Sequence, residues 1–333
     1  MSEINIKDIA KIAGVSYASV SRAINGKPGI SETTRKHILD ICAKEGYRQN
    51  SIARGMVLKK TNIIGLFVPD ISNPFYSEIT LKLDNFSRKA GYNIMLCNTH
   101  GDDKQTADLY HLLTQYKPDG LIFVAPKENA YPIFSHSSCP VIYVGDTDGK
   151  YQGDFVSTDN SYGGYQGFKY LYDLGHRDII YFGWHPNSSA HSHRWNGFKA
   201  AAADYNIVPQ RFDSEFSFSS IENGYTMAKQ FFSQNYKFTA IFAASDTLAL
   251  GIIKAADELG LQIPKDFSLL GFDNISTSGL PRIMLTTIEQ PTATIAEAVI
   301  DLIIKRLKSP ENATYTHQTF RPKLIKRLSC DKI

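Results

Sequence analysis

The sequence has few of the features that mark secreted, membrane-bound or metal-binding proteins. Four of its 333 residues are cysteine, and no two form a Cys-x-x-Cys pair, so we expect reduced thiols rather than disulfides or a zinc site. No apolar run reaches the roughly 18 residues that a membrane-spanning helix needs. The first ten residues also lack an apolar signal-peptide core. We therefore predict a cytoplasmic protein with no membrane partner.

Sequence motifs of catalysis and nucleotide binding are also absent. The chain contains no Gly-x-Ser-x-Gly, His-Glu-x-x-His or Walker pattern, and the glycine cluster at 163–167 does not have Gly-x-Gly-x-x-Gly spacing. His191 and His193 have no second pair of ligands nearby in the sequence, which favours hydrogen bonding over metal binding. The sequence thus predicts no enzyme, no cofactor and no metal site.

What is present is an ordinary globular composition with uneven charge. Hydrophobic residues make up 43% and charged residues 21% of a chain long enough for two or three domains. Residues 1–60 carry eleven basic and five acidic side chains, a net charge of +6, whereas the rest of the chain has a net charge of −3. A small basic module indicates a polyanionic partner such as nucleic acid, although charge alone also fits a solvated surface.

Apolar residues recur at helical spacing in three short stretches of residues 1–46. Gly14 separates the first stretch from the second, and Ser16 and Ser31 are placed to cap the second and third helices. Two helices joined by a tight turn with glycine are typical of a helix-turn-helix, with a generic three-helix bundle as the alternative. The second helix carries, opposite its apolar face, side chains that suit base edges in a major groove: Tyr17, Ala18, Ser21 and Arg22.

Residues 6–25, IKDIAKIAGVSYASVSRAIN, closely resemble the head of the lactose-repressor/galactose-repressor (LacI/GalR) family of bacterial transcription factors. In that family the second helix reads the operator's major groove. The resemblance implies base contacts by Tyr17, Ala18 and Arg22. It also implies phosphate or orienting contacts by Ser16, Ser21, Asn25 and Thr33.

Residues 47–56 resemble the hinge helix of the same family, which implies a helix that orders when two copies meet on DNA. A helix this short is marginal by itself. Met56 stands where the family usually has the leucine that is inserted between base pairs, and Gln49 stands where it usually has proline. A passive linker is the alternative. We expect hinge contacts to DNA from Asn50, Ala53 and Met56.

From Asn62 onward, apolar strand patterns alternate with amphipathic helical patterns. Such repeats predict doubly wound parallel sheets, and the length of this region predicts two lobes. The strands are expected at Ile63–Val68, Asn93–Cys97, Gly120–Val124, Val141–Val144, Ile179–Gly183, Ala240–Ala243, Ser268–Phe272 and Leu285–Ile288.

Ligands of such sheets bind at the carboxyl ends of the strands, so the residues after each strand are candidates for a site. They are carboxylates, amides and aromatic rings, which suit a polyhydroxylated ligand such as a sugar. Lys127 and Arg194 leave a phosphorylated ligand open. The candidate effector-binding residues are Asp70, Asn73, Phe75, His100, Asp146, Trp184, His185, Arg194, Ser245, Asp246, Asp273 and Gln290.

The family resemblance continues through the body, at Asn73-Pro74-Phe75-Tyr76, at Arg194-Trp195-Asn196-Gly197-Phe198 and at the segments around Asp246 and Asp273. It implies a type I periplasmic-binding-protein-like pair of lobes joined by three crossovers, with Arg194 gripping the effector. Ser188–Ala190 lies where the purine-repressor branch has Arg and Thr, so a purine corepressor is not expected. The expected domains are a head at 1–46, a hinge at 47–60 and a body at 61–333, with an N-lobe at about 61–158 and 291–319 and a C-lobe at about 159–290 and 320–333.

Together these features predict a homodimeric regulator that binds double-stranded, pseudo-palindromic operator DNA. It would act as a repressor of carbohydrate-utilisation genes, controlled by a small-molecule effector between the lobes. One alternative within the class is a catabolite-control-type regulator with a phosphoprotein partner. Alternatives from other classes are a sugar-binding transport receptor and a hydrolase on the same scaffold. With no leucine heptad after the body, a dimer is expected rather than a tetramer.

Overall fold

The computed structural model divides the chain into two compact units, Met1–Thr61 and Asn62–Ile333. Within the part that is described, no helix is long and apolar enough to cross a membrane. The structure describes residues 4–47, 60–126, 131–145, 152–186, 188–216, 219–309 and 314–333.

Residues 4–47 of the first unit contain three helices, α1 (Ile6–Ile12), α2 (Tyr17–Ile24) and α3 (Glu32–Lys44). The predicted caps are present. Ser16 accepts a hydrogen bond from the backbone N–H of Ser19, and Ser31 does the same for Thr34. A side-chain oxygen at this position satisfies one of the N–H groups that a helix start leaves without a partner.

The core of the first unit is small and uses the apolar stripe of each helix. Its buried residues include Ile9 from α1, Val20 and Ala23 from α2, and Ile38 and Cys42 from α3. Because these stripes face one another, the opposite face of α2 is left to solvent. The predicted helix-turn-helix head is confirmed.

The described residues of the second unit form two six-stranded sheets. One sheet, with strand order β11-β5-β4-β3-β1-β2, defines the N-lobe, and the other, with order β12-β10-β9-β8-β6-β7, defines the C-lobe. All neighbouring strands are parallel except β10 and β12. The strands are β1 (Ile63–Val68), β2 (Asn93–Asn98), β3 (Gly120–Val124), β4 (Val141–Val144), β5 (Asp154–Thr158), β6 (Ile179–Trp184), β7 (Gln210–Asp213), β8 (Ala240–Ala243), β9 (Ser268–Asp273), β10 (Thr286–Glu289), β11 (His317–Phe320) and β12 (Lys323–Ile325).

Helices cover both faces of each sheet, as in other doubly wound folds. A short 3-10 helix, Ser276–Gly279, follows β9. The α-helices are α4 (Pro74–Lys89), α5 (Asp103–Thr114), α6 (Tyr131–Phe134), α7 (Asn160–Asp173), α8 (Ser189–Asp204), α9 (Ile221–Phe232), α10 (Asp246–Glu258) and α11 (Thr292–Lys308).

The chain passes between the two sheets three times. It leaves the N-lobe after β5 ends at Thr158, returns to it after β10 ends at Glu289, and leaves again between β11 and β12. Each passage is short, so the carboxyl ends of β5 and β10 are held beside each other. This places the strand ends of the two lobes on opposite sides of one cleft.

All eight strands expected from apolar runs are present, whereas β5, β7, β11 and β12 were not predicted. Strand β5 reads Asp-Phe-Val-Ser-Thr and is nevertheless fully buried. Its Asp154 carboxylate pairs in two places with the guanidinium of Arg306, at 2.6 and 2.7 Å. A buried carboxylate with such a partner is tolerated, but a search for apolar runs does not find it.

Candidate functional site

A cavity lies between the two lobes at the carboxyl ends of their strands. Its wall from the N-lobe is largely apolar and includes Phe75, Tyr76 and Ile79 from α4. Its wall from the C-lobe is largely polar and includes Arg194 and Asp273. A ligand between these walls would meet hydrogen-bonding groups on one side and apolar surface on the other.

Arg194 forms the centre of the polar wall. Its Nε donates to Oδ1 of Asn160 at 2.8 Å, Nη1 donates to the carbonyl of Ala244, and Nη2 donates to Oδ1 of Asp273 at 3.2 Å. Its Cζ lies 3.6 Å from the ring centroid of Phe272. Three hydrogen bonds and a stacked ring fix the guanidinium, and the part of the chain that the structure describes leaves one N–H on each terminal nitrogen for a ligand.

Asp273 connects the guanidinium to the crossovers between the lobes. Its Oδ1 also accepts a hydrogen bond from Nε2 of Gln290 at 2.7 Å, and Oε1 of Gln290 accepts from the hydroxyl of Thr158 at 2.7 Å. Among the described residues, Oδ2 of Asp273 accepts no hydrogen bond. The site therefore offers an acceptor beside the two free donors of Arg194, which is the combination that a pair of neighbouring hydroxyls requires.

Burial dominates the electrostatics of this wall. It raises the pKa of Asp273 to about 6, against the opposing effect of the Arg194 charge. Burial, together with the charges of Arg194 and His185, lowers the pKa of His191 to about 3, so this imidazole is neutral at physiological pH. The phenol of Tyr76 has its pKa raised by burial and by the charge of Asp273, and it stays protonated. Beside the Arg194–Asp273 ion pair, the cavity therefore offers neutral hydrogen-bonding groups from His191 of the C-lobe and Tyr76 of the N-lobe.

Two glycines set the position of Arg194 by bringing α7 and α8 into backbone contact. A Cβ on Gly164 would lie 1.9 Å from the carbonyl oxygen of Arg194, and a Cβ on Gly197 would lie 1.8 Å from that of Ser161. Since neither position has room for a side chain, the two helices pack closely enough for Arg194 to reach Asn160 at the start of α7. The glycine cluster of α7 is therefore a packing feature.

The cavity brings together seven of the candidate residues from the sequence. Asp146 lies outside the described residues. Asp70, His100, Trp184 and Asp246 are not among the residues that line the cavity. The seven that do line it are Asn73, Phe75, His185, Arg194, Ser245, Asp273 and Gln290.

Trp184 is turned away by a register shift at the end of β6. The pairing of β6 with β7 is irregular between Phe182 and Trp184, where Gly183 has a φ of +94°. The indole then meets β7, and the guanidinium carbon of Arg211 lies 3.8 Å from its ring centroid. Trp184, a candidate effector-binding residue, therefore packs against β7 and does not line the cavity.

Asp246 faces the interior of the C-lobe. Its carboxylate accepts hydrogen bonds from the backbone N–H of Ile275 at 3.0 Å and from the hydroxyls of Ser278 and Thr287 at 2.7 and 2.6 Å. Burial and the charge of Asp273 raise its pKa to about 7. Asp246 therefore ties the segment after β9 to β10, and it does not line the cavity.

Asp70 and His100 belong to loops beside the cavity. The Asp70 carboxylate accepts hydrogen bonds from the backbone N–H and the hydroxyl of Ser72, at 2.9 and 2.6 Å, which holds its own turn. His100 has a φ of +50° and is exposed, with its ring beside the amide of Asn98. Among the described residues, neither side chain makes a hydrogen bond to a residue that lines the cavity.

Sequence reasoning missed several groups that line the cavity, chiefly Tyr76, Asn160 and His191. Asn160 follows β5, the strand without an apolar pattern, so its place at a strand end was not visible. Tyr76 is next to the predicted Phe75, and the two rings meet edge to face at 5.4 Å. His191 lies on α8, one turn before Arg194, and no metal cluster of three His, Cys, Asp or Glu side chains occurs in the described part of the chain.

In the first unit, the solvent face of α2 carries the candidate DNA-binding residues. Tyr17, Ala18 and Arg22 are exposed, and Ser21 is half-buried. Thr33 is exposed beside Ser31 at the start of α3, and the amide of Asn25 donates to the carbonyl of Ser21 at 2.8 Å, at the end of α2. The hinge candidates Asn50, Ala53 and Met56 lie outside the described residues.

Arg35 is a further residue of the head that the sequence patterns did not single out. Its guanidinium donates to the carbonyls of Arg22, Ala23 and Lys27 at 3.2, 3.3 and 2.9 Å. These carbonyls lie at the end of α2 and in the following turn, where a helix leaves acceptors without partners. Arg35 thus sets the orientation of α2 against α3.

Comparisons with known proteins agree with this architecture. Residues 5–50 match the family described as bacterial regulatory proteins, lacI family, and residues 168–330 match the periplasmic binding protein-like domain. Among solved structures, the lac repressor dimer bound to operator and the anti-inducer ONPF has a TM-score of 0.87 at 23% identity, covering 98% of this chain and 99% of that one. A LacI family transcriptional regulator from Enterococcus faecium with bound ribose has a TM-score of 0.71 at 27% identity, covering 81% and 99%.

Curated relatives match over nearly the whole chain. The HTH-type transcriptional repressor PurR of Yersinia enterocolitica is 32% identical over 332 residues, covering 97% of this chain and 96% of that protein. Catabolite control protein A of Priestia megaterium is 31% identical over 306 residues, covering 91% and 92%. These relatives are regulators rather than enzymes. The chain belongs to the lacI family of bacterial regulatory proteins.

Proposed function

We propose that this protein is a homodimeric transcriptional repressor of carbohydrate-utilisation genes and that a carbohydrate bound between the lobes controls its affinity for operator DNA. The observation that carries the proposal is the Arg194–Asp273–Gln290 network facing the apolar wall of α4. The cleft is proposed to bind its ligand without turning it over, and the protein to act in the cytoplasm.

The chemistry of the cleft supports a neutral polyol. The free donors of Arg194 and the free acceptor of Asp273 match adjacent hydroxyls, and Phe75 adds an aromatic ring to the cavity wall, against which sugar C–H groups can pack. An anionic group of a ligand would lie beside the carboxylate of Asp273, which repels it. The guanidinium of Arg194 already makes three hydrogen bonds within the protein. These features favour an unphosphorylated sugar over a sugar phosphate.

The head supports recognition of DNA by α2. Arg22 presents a planar guanidinium that can donate two hydrogen bonds to guanine, and Tyr17 and Ala18 are exposed on the same helix. Ser16, Ser21, Asn25 and Thr33 are proposed to hold phosphates or orient the helix, and Asn50, Ala53 and Met56 to contact the minor groove. Two heads in a dimer require two symmetric half-sites in the operator.

Control follows if the effector binds one arrangement of the lobes better than another. The shift in DNA affinity cannot exceed the ratio of the effector's affinities for the two arrangements. Thr158 and Gln290 lie in two of the crossovers and are hydrogen-bonded to each other, and Gln290 also binds Asp273. A ligand that binds Asp273 is therefore connected through Gln290 to the segments that join the lobes.

The first test is fluorescence anisotropy with the DNA upstream of the protein's own coding region, titrated with mono- and oligosaccharides and with purine bases. We expect one sugar to change the DNA affinity, and the Asp273→Ala variant to bind the DNA without responding to that sugar. A response to a purine base and to no sugar would overturn the carbohydrate assignment.

The similarity to catabolite control protein A favours a second candidate, a regulator that also requires a phosphoprotein partner. A pull-down with the phosphorylated phosphocarrier protein separates the two. Retention of the phosphorylated form over the unphosphorylated form would support this candidate, and no retention would leave the small-molecule mechanism.

A further inference from the structure

Among the described residues, two hydrogen bonds cross the cleft outside the network of Arg194. Oε1 of Glu78, on α4 of the N-lobe, accepts from the backbone N–H of Ser276 in the C-lobe at 2.8 Å. Nδ2 of Asn73, at the start of α4, donates to the carbonyl of Ser219 in the C-lobe at 3.0 Å. Both bonds exist only while the lobes are together, so the first turns of α4 contribute a contact between the lobes that is separate from the crossovers.

The N–H of Ser276 depends on the other lobe for its acceptor. The neighbouring N–H of Ile275 is satisfied within the C-lobe by Asp246, and the hydroxyl of Ser278 uses the same carboxylate. For Ser276, the described residues provide one acceptor, the Glu78 carboxylate. A bond from a backbone N–H to a charged acceptor is stronger than one between neutral groups, even though Ser276 is exposed.

A short, fixed segment connects this bond to the cleft. Asp273, whose carboxylate faces the cleft, and Asn274 have φ angles of +120° and +57°. The Asn274 side chain is held by Arg327 at 2.6 Å and by Glu289 at 2.9 Å. With Asn274 clamped on both sides, a movement of Asp273 is passed to Ser276 rather than absorbed between them.

We propose that Glu78 is a positioning residue of the effector response: by binding the Ser276 N–H it holds the lobes together and couples the Asp273 segment to α4. The proposal rests on the proposed function for its consequence in DNA binding. The contact itself is a property of the body alone. Neither Glu78 nor Ser276 lines the cavity, so both are distinct from the groups assigned to the ligand.

The test removes each partner of the bond in turn. Glu78→Ala removes the acceptor, and Ser276→Pro removes the donor while keeping a residue suited to the first position of a helix. Ile275 already has a φ of −64° and a ψ of 155°, a conformation that a following proline accepts. Glu297→Ala, an exposed glutamate of α11 in the same lobe, is the control for charge, and Glu78→Gln keeps an acceptor oxygen.

The readout is the distance between spin labels carried by unnatural amino acids at positions 112 and 237, one on each lobe, in the full-length protein without ligand. We expect each single variant to raise the ratio of long to short distances at least threefold. The double variant should do no more than either single variant, because both remove one bond. Glu297→Ala should match the wild type, and Glu78→Gln should lie between wild type and Glu78→Ala.

A wild type already at the long distance, unchanged distances in both single variants, or additive effects in the double variant would overturn the proposal. A lower melting temperature without a change in distance would show a merely structural role and would overturn it too. Titration of the same variants with the upstream DNA separates the two proposals. Absence of DNA binding by the wild type contradicts the proposed function, while the distances still decide whether Glu78 holds the lobes together.

Discussion

Nη2 of Arg194 lies 3.2 Å from Oδ1 of Asp273, and these side chains are 5% and 7% exposed. Removing one member of a buried ion pair leaves the other without its partner, at a cost of about 3–5 kcal/mol. The pair is therefore both a candidate ligand site and part of the stability of the C-lobe. Any test of the site must separate these two roles.

Asp273→Ala should abolish the effector response and leave operator binding intact, since the head is a separate compact unit. Asp273→Asn, which keeps an oxygen for Arg194, should retain more stability and still lose affinity for the effector. Isothermal titration with the responding sugar measures the loss, and thermal unfolding measures the stability. Effector binding at wild-type strength in both variants would contradict the assignment.

The stability of the body should depend on Asp246 between about pH 4 and pH 7. Burial raises its folded-state pKa to about 7. An unfolded aspartate has a pKa of about 3.9, so stability from this group is fully present below pH 4 and is lost as the pH rises through 7. The Asp246→Asn variant has no such titration. The free energy of unfolding of the variant minus that of the wild type should therefore increase as the pH rises from about 4 to 7.

Denaturant unfolding of both proteins at pH 4, 5.5 and 7 gives this difference. Burial lowers the pKa of His176, so the contribution of this group to stability increases as the pH rises. His176 is present in both proteins, and its contribution cancels in the difference. A difference that does not change with pH would show that Asp246 does not titrate in this range.

Gly164→Ala should destabilise the C-lobe and misplace Arg194. The added methyl group would lie 1.9 Å from the carbonyl oxygen of Arg194 on α8, and overpacking of this kind costs about 1–3 kcal/mol. Gly279→Ala is the matched control, because its nearest neighbour would be the flexible side chain of Arg327 at 3.5 Å. Thermal unfolding should separate the two variants by several degrees.

Arg22→Ala should abolish specific DNA binding and spare dimerisation. Loss of a base contact by arginine costs about 1–3 kcal/mol per head and relaxes discrimination at that base pair. Lys27→Ala, in the turn after α2, should weaken binding to all sequences alike if it meets only phosphate. Anisotropy with specific and scrambled DNA measures both. Unchanged operator affinity in Arg22→Ala would contradict the assignment of α2.

The fold was predictable because buried parallel strands and amphipathic helices leave strong patterns in the sequence. The different orientations of Asp246 and Asp273 could not be predicted from the sequence, because both acids follow an apolar strand. Asp273 ends β9 and faces the cleft, whereas Asp246 begins α10 and turns into the lobe. The orientation of Trp184 depends on a register shift between β6 and β7, and the bond of Glu78 joins residues 198 positions apart in the chain. Neither feature leaves a pattern in the neighbouring sequence from which it could be predicted.

The three crossings between the sheets also affect the order in which the protein folds during synthesis. The core of the N-lobe includes Ile295, Val299 and Ile303 of α11, and its sheet is completed by β11. Every strand of the C-lobe sheet except β12 is therefore synthesised before α11 and β11, which the N-lobe needs to complete its core and its sheet. The head folds early from local contacts. Strands β1 to β5 need α11 and β11, which are synthesised only after β6 to β10, so their apolar faces are exposed to chaperones in the interval.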